Sequence, residues 1–342
     1  MKLSEKYLNR DSSIELLRIL SILGILVVHT DFFALGIPGK EDCIGSPLLS
    51  VWRFTIESIT IVSVNVFVLI SGWFGIRWKK MRFLEFLFQI LFFNILFFII
   101  FSFFIPQKTF TRDGIGSVFM FDKYFWFVKA YILLYLLAPV LNSFLEKVSA
   151  SQHKLVLIGF FVFQTLYGWL FDGVSWFDRG YSAISFVGLY LLANYLKKYC
   201  NVEKMPLLLV FIVFVILNTS VAYLSTYFDR GAYVQRLYAY NSPLVILASV
   251  AVFLLFTKIR LKNKIVNYIA ISSFAAFLFH ANHFFINEVY VSSLKKWFVE
   301  DTIILFSLKT IVLVFLCFSL AIIIDKFRIY IWEKITRKDY IS

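Results

Sequence analysis

The sequence predicts an all-α fold: a polytopic transmembrane bundle of about ten helices with both termini in the cytoplasm. Three observations carry this. Of 342 residues, 60% are hydrophobic and only 16% are charged, whereas soluble domains run about a quarter charged. Apolar stretches long enough to cross a bilayer recur along the whole chain. The basic residues gather on alternate loops, the pattern that sets membrane orientation.

The stretches are 14–35, 52–76, 83–105, 124–145, 154–171, 181–199, 206–228, 240–257, 265–287 and 302–324. A helix needs roughly 20 apolar residues to cross the hydrocarbon. None of these runs shows two-residue alternation, and they are too long for barrel strands. Lys2, Lys6 and Arg10 precede the first run, Ile14 to Leu35, and no small-residue cleavage site follows it. It is therefore read as a retained first helix, not a signal peptide. No linker-like segment or internal repeat interrupts the pattern, so residues 1–342 are expected to form a single integral-membrane domain.

With the N-terminus placed inside, 22 of the 34 Lys and Arg residues fall on the inner face and 12 on the outer, while the 21 acids divide 9 and 12. The whole formal charge of +13 then lies on one side. The basic balance is thus a topology signal and argues against nucleic-acid binding. Cys43, Cys200 and Cys317 are far apart and do not cluster with His29, His153, His280 or His283, so neither a disulfide framework nor a metal site is expected.

Ionisable groups at membrane depth are costly, so each is a candidate site. Arg18 and His29 share the first helix in "RILSILGILVVH". Their spacing is ~16 Å along the axis and about three turns, which puts them on one face. Arg18 can also be read as a snorkelling anchor paired with Glu15, and His29 as a buried or interfacial histidine. Helix geometry places His29 ~22 Å from the inner edge of a ~30 Å core, and His280 on the ninth helix at the same depth. Glu57, on the inward-running second helix, lies ~8 Å below the outer edge, a similar level. A histidine with a carboxylate partner is what general-base chemistry needs. Asn65 is a further polar residue at depth, and Ser71-Gly72 permits close helix approach. Arg77, Lys79, Lys80 and Arg82 crowd a very short inner loop. That loop reads as a topology signal contacting anionic membrane lipids or as a phosphate-binding cluster at the cytoplasmic mouth.

These pieces together resemble the acyltransferase-3 family of membrane acyltransferases. "IELLRILSILGILVVHT" matches its arginine, ten residues, histidine signature at Arg18 and His29. "NVFVLISGWF" is similar to its second-helix motif, with Ile70 before Ser71, and the basic run is similar to its RxxR segment, with Lys79 in the first position and Arg82 in the last. "FWFVKAYILLYLLAPVLN", "YNSPLVILASVAVFLLF" and "FAAFLFHANHFF" look like later segments of the branch without a C-terminal esterase-like domain.

The resemblance implies transfer of an acyl group, usually acetyl, from cytoplasmic acyl-CoA to a hydroxyl of an envelope or exported glycan or its lipid-linked precursor. Acetyl-CoA is the implied donor and a glycan the implied acceptor, in a bacterial inner or plasma membrane. His29 carries over as the catalytic histidine, Arg18 as its motif partner, Lys79 and Arg82 as CoA contacts, and His280 as a ninth-helix position. Trp126, Tyr131, Trp169 and Trp176 lie near outer helix ends, where they read as an interfacial belt or as stacking surfaces for sugar rings. The rival reading is a glycan or lipid-linked sugar exporter without covalent chemistry; no inverted repeat favours it.

Overall fold

The computed structural model describes residues 10–121, 123–171 and 174–338; Lys2 and Lys6 of the inner-face charge count lie outside them. Among the described residues every regular element is helical. The main helices are α1 (Ser12–Thr30), α2 (Pro47–Thr60), α3 (Ser63–Phe74), α4 (Lys80–Phe104), α5 (Trp126–Lys147), α6 (Ala150–Phe163), α7 (Ala183–Tyr199), α8 (Leu207–Tyr227), α9 (Pro243–Lys258), α10 (Lys264–Ala270), α11 (Ser273–His280), α12 (Ser292–Glu300) and α13 (Ile303–Lys338).

Their starts follow from local chemistry. The Asp11 carboxylate accepts from the Ser13 and Ile14 amides at the head of α1, and Ser149 with Gln152 forms a capping box on α6. Ser182 caps α7 and Asn263 caps α10, while Pro47 and Pro243 occupy first-turn positions where no amide donor is needed.

Among the described residues, seven helical stretches are long and apolar enough to cross a membrane, or eight if one bent pair counts as a span. About ten crossings were expected. The sixth and eighth runs form helices of only 17 and 16 residues, α7 and α9, which at 1.5 Å per residue fall short of a ~30 Å core. The ninth run is broken. Lys264–His280 and His283–Glu300 meet at a 57° bend, because Asn282 leaves helical geometry and its side chain caps the next turn through the Phe284 amide. Apolar side chains remain on the outside of the long helices, such as Leu208, Ile212 and Ile216 on α8 and Ile304, Leu308 and Phe315 on α13. Water would penalise this surface and hydrocarbon does not.

The chain divides into two compact units. The larger, Asp11–Trp78 with Trp126–Lys262, holds α1–α3 and α5–α9. Its core includes Leu26, Phe54, Leu69, Phe186, Tyr190 and Phe253, all essentially inaccessible. Close approach of α3 and α7 requires Gly72: a Cβ there would sit 2.8 Å from the Tyr190 Cα. The small residue singled out in the sequence is thus where two helices touch backbone to backbone.

The smaller unit, Met1–Arg10, Lys79–Phe125 and Asn263–Ser342, holds α4 and α10–α13. Phe97, Phe101, Phe279, Phe284 and Phe285 form its ring cluster, with centroid distances from 4.9 to 6.2 Å between successive partners. It also buries an ionic network. Arg328 on α13 donates to Asp325 (2.9 Å) and faces Glu85 on α4 (3.4 Å), and Gln89 donates to Asp325 (2.9 Å).

Candidate functional site

The candidate residues fall in both units. In the larger one, α1 runs unbroken from Ser12 to Thr30, so Arg18 and His29 keep the axial spacing and shared face expected of them. Arg18 is half-buried, and its Nε lies 3.8 Å from Glu15 Oε2 one turn earlier, a loose pair. Farther along, Arg18 is within electrostatic reach of Tyr131 on α5, whose hydroxyl is 3.1 Å from Ser71 Oγ of α3. His29 occupies the last turn of α1, half-buried, with its ring 4.9 Å from that of Phe33.

Immediately after His29 the helix breaks at Asp31, whose φ and ψ are −107° and −97°. The break presents the Asp31 carboxylate to α2, where Arg53 Nε donates to Oδ1 at 2.6 Å. Arg53 also donates to the Gly36 carbonyl. Both side chains are nearly buried, at 10% and 11% exposure. One turn along α2, Glu57 is 2% exposed, within electrostatic reach of Asp31 and Arg53, and its Oε2 has no hydrogen-bond partner. A buried carboxylate oxygen without a donor is expensive unless something else occupies the space beside it.

A hydroxyl network walls this region. Ser58 Oγ donates to the Phe54 carbonyl (2.8 Å) and accepts from Thr219 Oγ1 (3.1 Å) and Asn218 Nδ2 (3.4 Å) of α8. Tyr238 donates to the same Phe54 carbonyl (2.9 Å). Burial foremost, with the carboxylates of Glu57 and Asp31 adding to it, raises the Tyr238 phenol far above its ordinary value. Asn65 is 1% exposed and donates to the Tyr240 carbonyl at 2.8 Å. Its role is to tie the chain ahead of α9 to α3.

His280 lies in the smaller unit, fully buried, with Nδ1 2.8 Å from the Ala276 carbonyl of its own helix. That is how a core histidine is commonly satisfied. Of the three residues that the sequence puts at one level, His29 and Glu57 lie in the larger unit and His280 in the smaller.

The basic loop straddles the two units, with Arg77 in the larger and Lys79, Lys80 and Arg82 in the smaller. All four are exposed, and among the described residues Arg77, Lys80 and Arg82 make no ion pair. Lys79 is the N-cap residue of α4, and Lys80 and Arg82 lie in its first turn, which carries no acid. Cations at a helix N-terminus oppose the helix dipole, and an anion bound there would relieve the conflict. Trp169 donates to the Arg236 carbonyl at 2.8 Å, a structural tie, while Trp176 is 66% exposed.

Sequence reasoning passed over Asp31 and Arg53. The signal was present: Asp31 follows His29 by two residues and Arg53 precedes Glu57 by four, one helical turn.

The described residues form helices with long apolar spans and buried polar groups, which defines a multi-pass membrane protein. The family model described as an acyltransferase domain, Acyl_transf_3, matches residues 11–324, nearly the whole chain. The chain belongs to the acyltransferase-3 family, and is a multi-pass membrane acyltransferase; the exporter reading is set aside. Comparison with curated proteins and with solved structures gave no match.

Proposed function

We propose that the protein is an O-acetyltransferase that moves acetyl from cytoplasmic acetyl-CoA to a hydroxyl of an envelope or exported glycan or its lipid-linked precursor. The observation that supports this most is the placement of Arg18 and His29 on one continuous helix, with His29 at the end where Asp31, Arg53 and Glu57 gather. CoA phosphates bind Lys79, Lys80 and Arg82 at the head of α4 through charge-assisted hydrogen bonds. The acceptor hydroxyl gives its proton to His29 as its oxygen attacks the thioester carbonyl. The resulting tetrahedral intermediate expels CoA thiolate, and the proton leaves His29 for the thiolate sulfur. Glu57, held near Arg53, orients the histidine or a bound acceptor hydroxyl. His280 is given no step.

The test is transfer of labelled acetyl from acetyl-CoA by the purified full chain, with His29→Gln alongside. A general base contributes about 10²–10⁴-fold, and an amide cannot take the proton, so the variant should lose at least about 10²-fold at unchanged membrane abundance. A His29→Gln protein of near-normal rate would make the histidine structural, with His280 the next residue to replace.

A further inference from the structure

The loop that leads into α7 holds an unusual backbone. Asp178, Arg179 and Gly180 have successive φ values of 37°, 53° and 91°. Glycine takes such values readily, whereas aspartate and arginine do so at a cost. Strain of this kind persists only where its surroundings enforce it, and it gathers at functional sites.

The surroundings enforce it here. The Gly180 amide donates to the Phe177 carbonyl at 2.6 Å and the Tyr181 amide to the Asp178 carbonyl at 2.8 Å. Arg179 Nη1 donates to Gln235 Oε1 at 2.7 Å. Gly180 lies so close to the next segment that a Cβ would meet Tyr240 Cβ at 2.6 Å and Asn241 N at 2.7 Å.

The product of this turn is a platform. Tyr181 leans on Trp126 (4.4 Å between ring centroids) and on Tyr240 (5.0 Å), and Trp126 stacks on Tyr240 at 5.5 Å. Tyr181 is nonetheless 43% exposed, so one part of the ring is braced and another is open. Beside it is an open cleft of about 470 Å³ lined by Val174, Ser175, Asp178, Arg179 and Tyr181. The platform lies in the same unit as the candidate site, and Asn65 of α3 holds it there by donating to the Tyr240 carbonyl at 2.8 Å.

We propose that this cleft is the acceptor subsite, taking one pyranose ring of the glycan against Tyr181, with sugar hydroxyls bound by Asp178 and Arg179. The inference rests on the acetyltransferase reading for its acceptor and deepens it. A pyranose suits the cleft because it has an apolar face of C–H groups and a rim of hydroxyls. The wall supplies a braced aromatic face, a carboxylate acceptor and a guanidinium donor side by side. An ordinary interfacial tyrosine needs neither the strained turn nor a flanking acid.

The experiment uses the full chain in phosphatidylcholine nanodiscs. It is titrated, without acetyl-CoA, with methyl glycosides and short oligosaccharides of glucose, galactose, N-acetylglucosamine and rhamnose, read by saturation-transfer NMR. Wild type should bind at least one sugar of the panel. Tyr181→Ala should weaken that binding by about tenfold, the scale of one lost aromatic contact, and Tyr181→Phe, which keeps the ring, by under about threefold. Asp178→Asn should also weaken it, and acetyl-CoA affinity should be unchanged in all three variants. No sugar bound by wild type, or Tyr181→Ala binding like wild type, overturns the subsite and assigns Tyr181 to the interfacial belt. Failure of the donor reading shows separately, as wild type that binds sugar through Tyr181 but not acetyl-CoA.

Discussion

Arg53→Met is the sharpest test of the polar cluster at the end of α1. In the intact protein the Arg53 guanidinium is paired with the Asp31 carboxylate. It donates to Asp31 at 2.6 Å, with both side chains near 10% exposure, and is within electrostatic reach of Glu57, which is 2% exposed. Methionine approximates the arginine stem and removes only the charge and its hydrogen bonds, so cavity effects stay small. A hydrogen bond to a charged group contributes about 1.5–3 kcal/mol, and stripping one partner from a buried pair costs about 3–5 kcal/mol because the remaining charge is stranded. The lower part of the second range is expected, since each side chain keeps a little exposure. The assay is unfolding of the detergent-solubilised chain followed by tryptophan fluorescence, with Arg53→Met, Asp31→Asn and the double variant in one cycle. The single Arg53 variant should lose roughly 3 kcal/mol, and the double variant should recover most of it, for a coupling of at least about 1.5 kcal/mol. A loss under about 1 kcal/mol would place the pair among exposed bridges of little worth. A double variant as unstable as Arg53→Met would show that the arginine matters through something other than Asp31.

Other consequences are simpler to read. Arg82→Ala should weaken acetyl-CoA binding in isothermal titration while leaving insertion intact, whereas Lys79→Arg should be tolerated or bind more tightly because it adds a bidentate donor; unchanged binding in Arg82→Ala would assign the loop to topology and lipid contact. Arg18→Lys keeps the charge but loses the planar fork, so a strong fall in transfer rate at normal abundance would identify a specific contact, and a near-normal rate would identify an anchor. For topology, Cys43 is 1% exposed and a poor target for labelling, so an outer-face cysteine belongs at Ser175, which is exposed. Ser175→Cys should react with an impermeant maleimide in intact cells and Cys200 should not; the reverse would invert the orientation derived from the Lys and Arg distribution.

What the sequence discloses about this chain divides by direction. Along the helix axis its physics is local: composition gives the solvent, run length gives a span, and 3.6-residue periodicity puts Arg18 and His29 on one face before any partner is known. The two short helices and the bend after His280 escaped because apolar runs do not reveal where a helix stops inside them. Asn282 ends α11 by capping the following turn, a choice made by one side chain in a continuously apolar stretch. Across helices the sequence is nearly silent. The hydrogen bonds joining Ser58 to Asn218 and Thr219 span 160 and 161 residues, and Ser71 meets Tyr131 at a separation of 60. No periodicity within one run encodes such pairings, because each depends on which helices neighbour one another. Gly72 marks the boundary between the two kinds of knowledge. Its size announces that some backbone comes close, and only the packed structure gives that backbone as Tyr190. The same limit applies to the chemistry. His29 is conspicuous because an ionisable group at membrane depth is rare, whereas Asp31 looks like a helix-end residue until Arg53 is found 2.6 Å away. A search of such chains for function should therefore examine the residues just beyond a conspicuous intramembrane group and one turn from a buried acid, where the compensating charges must lie if the buried ones are to be borne.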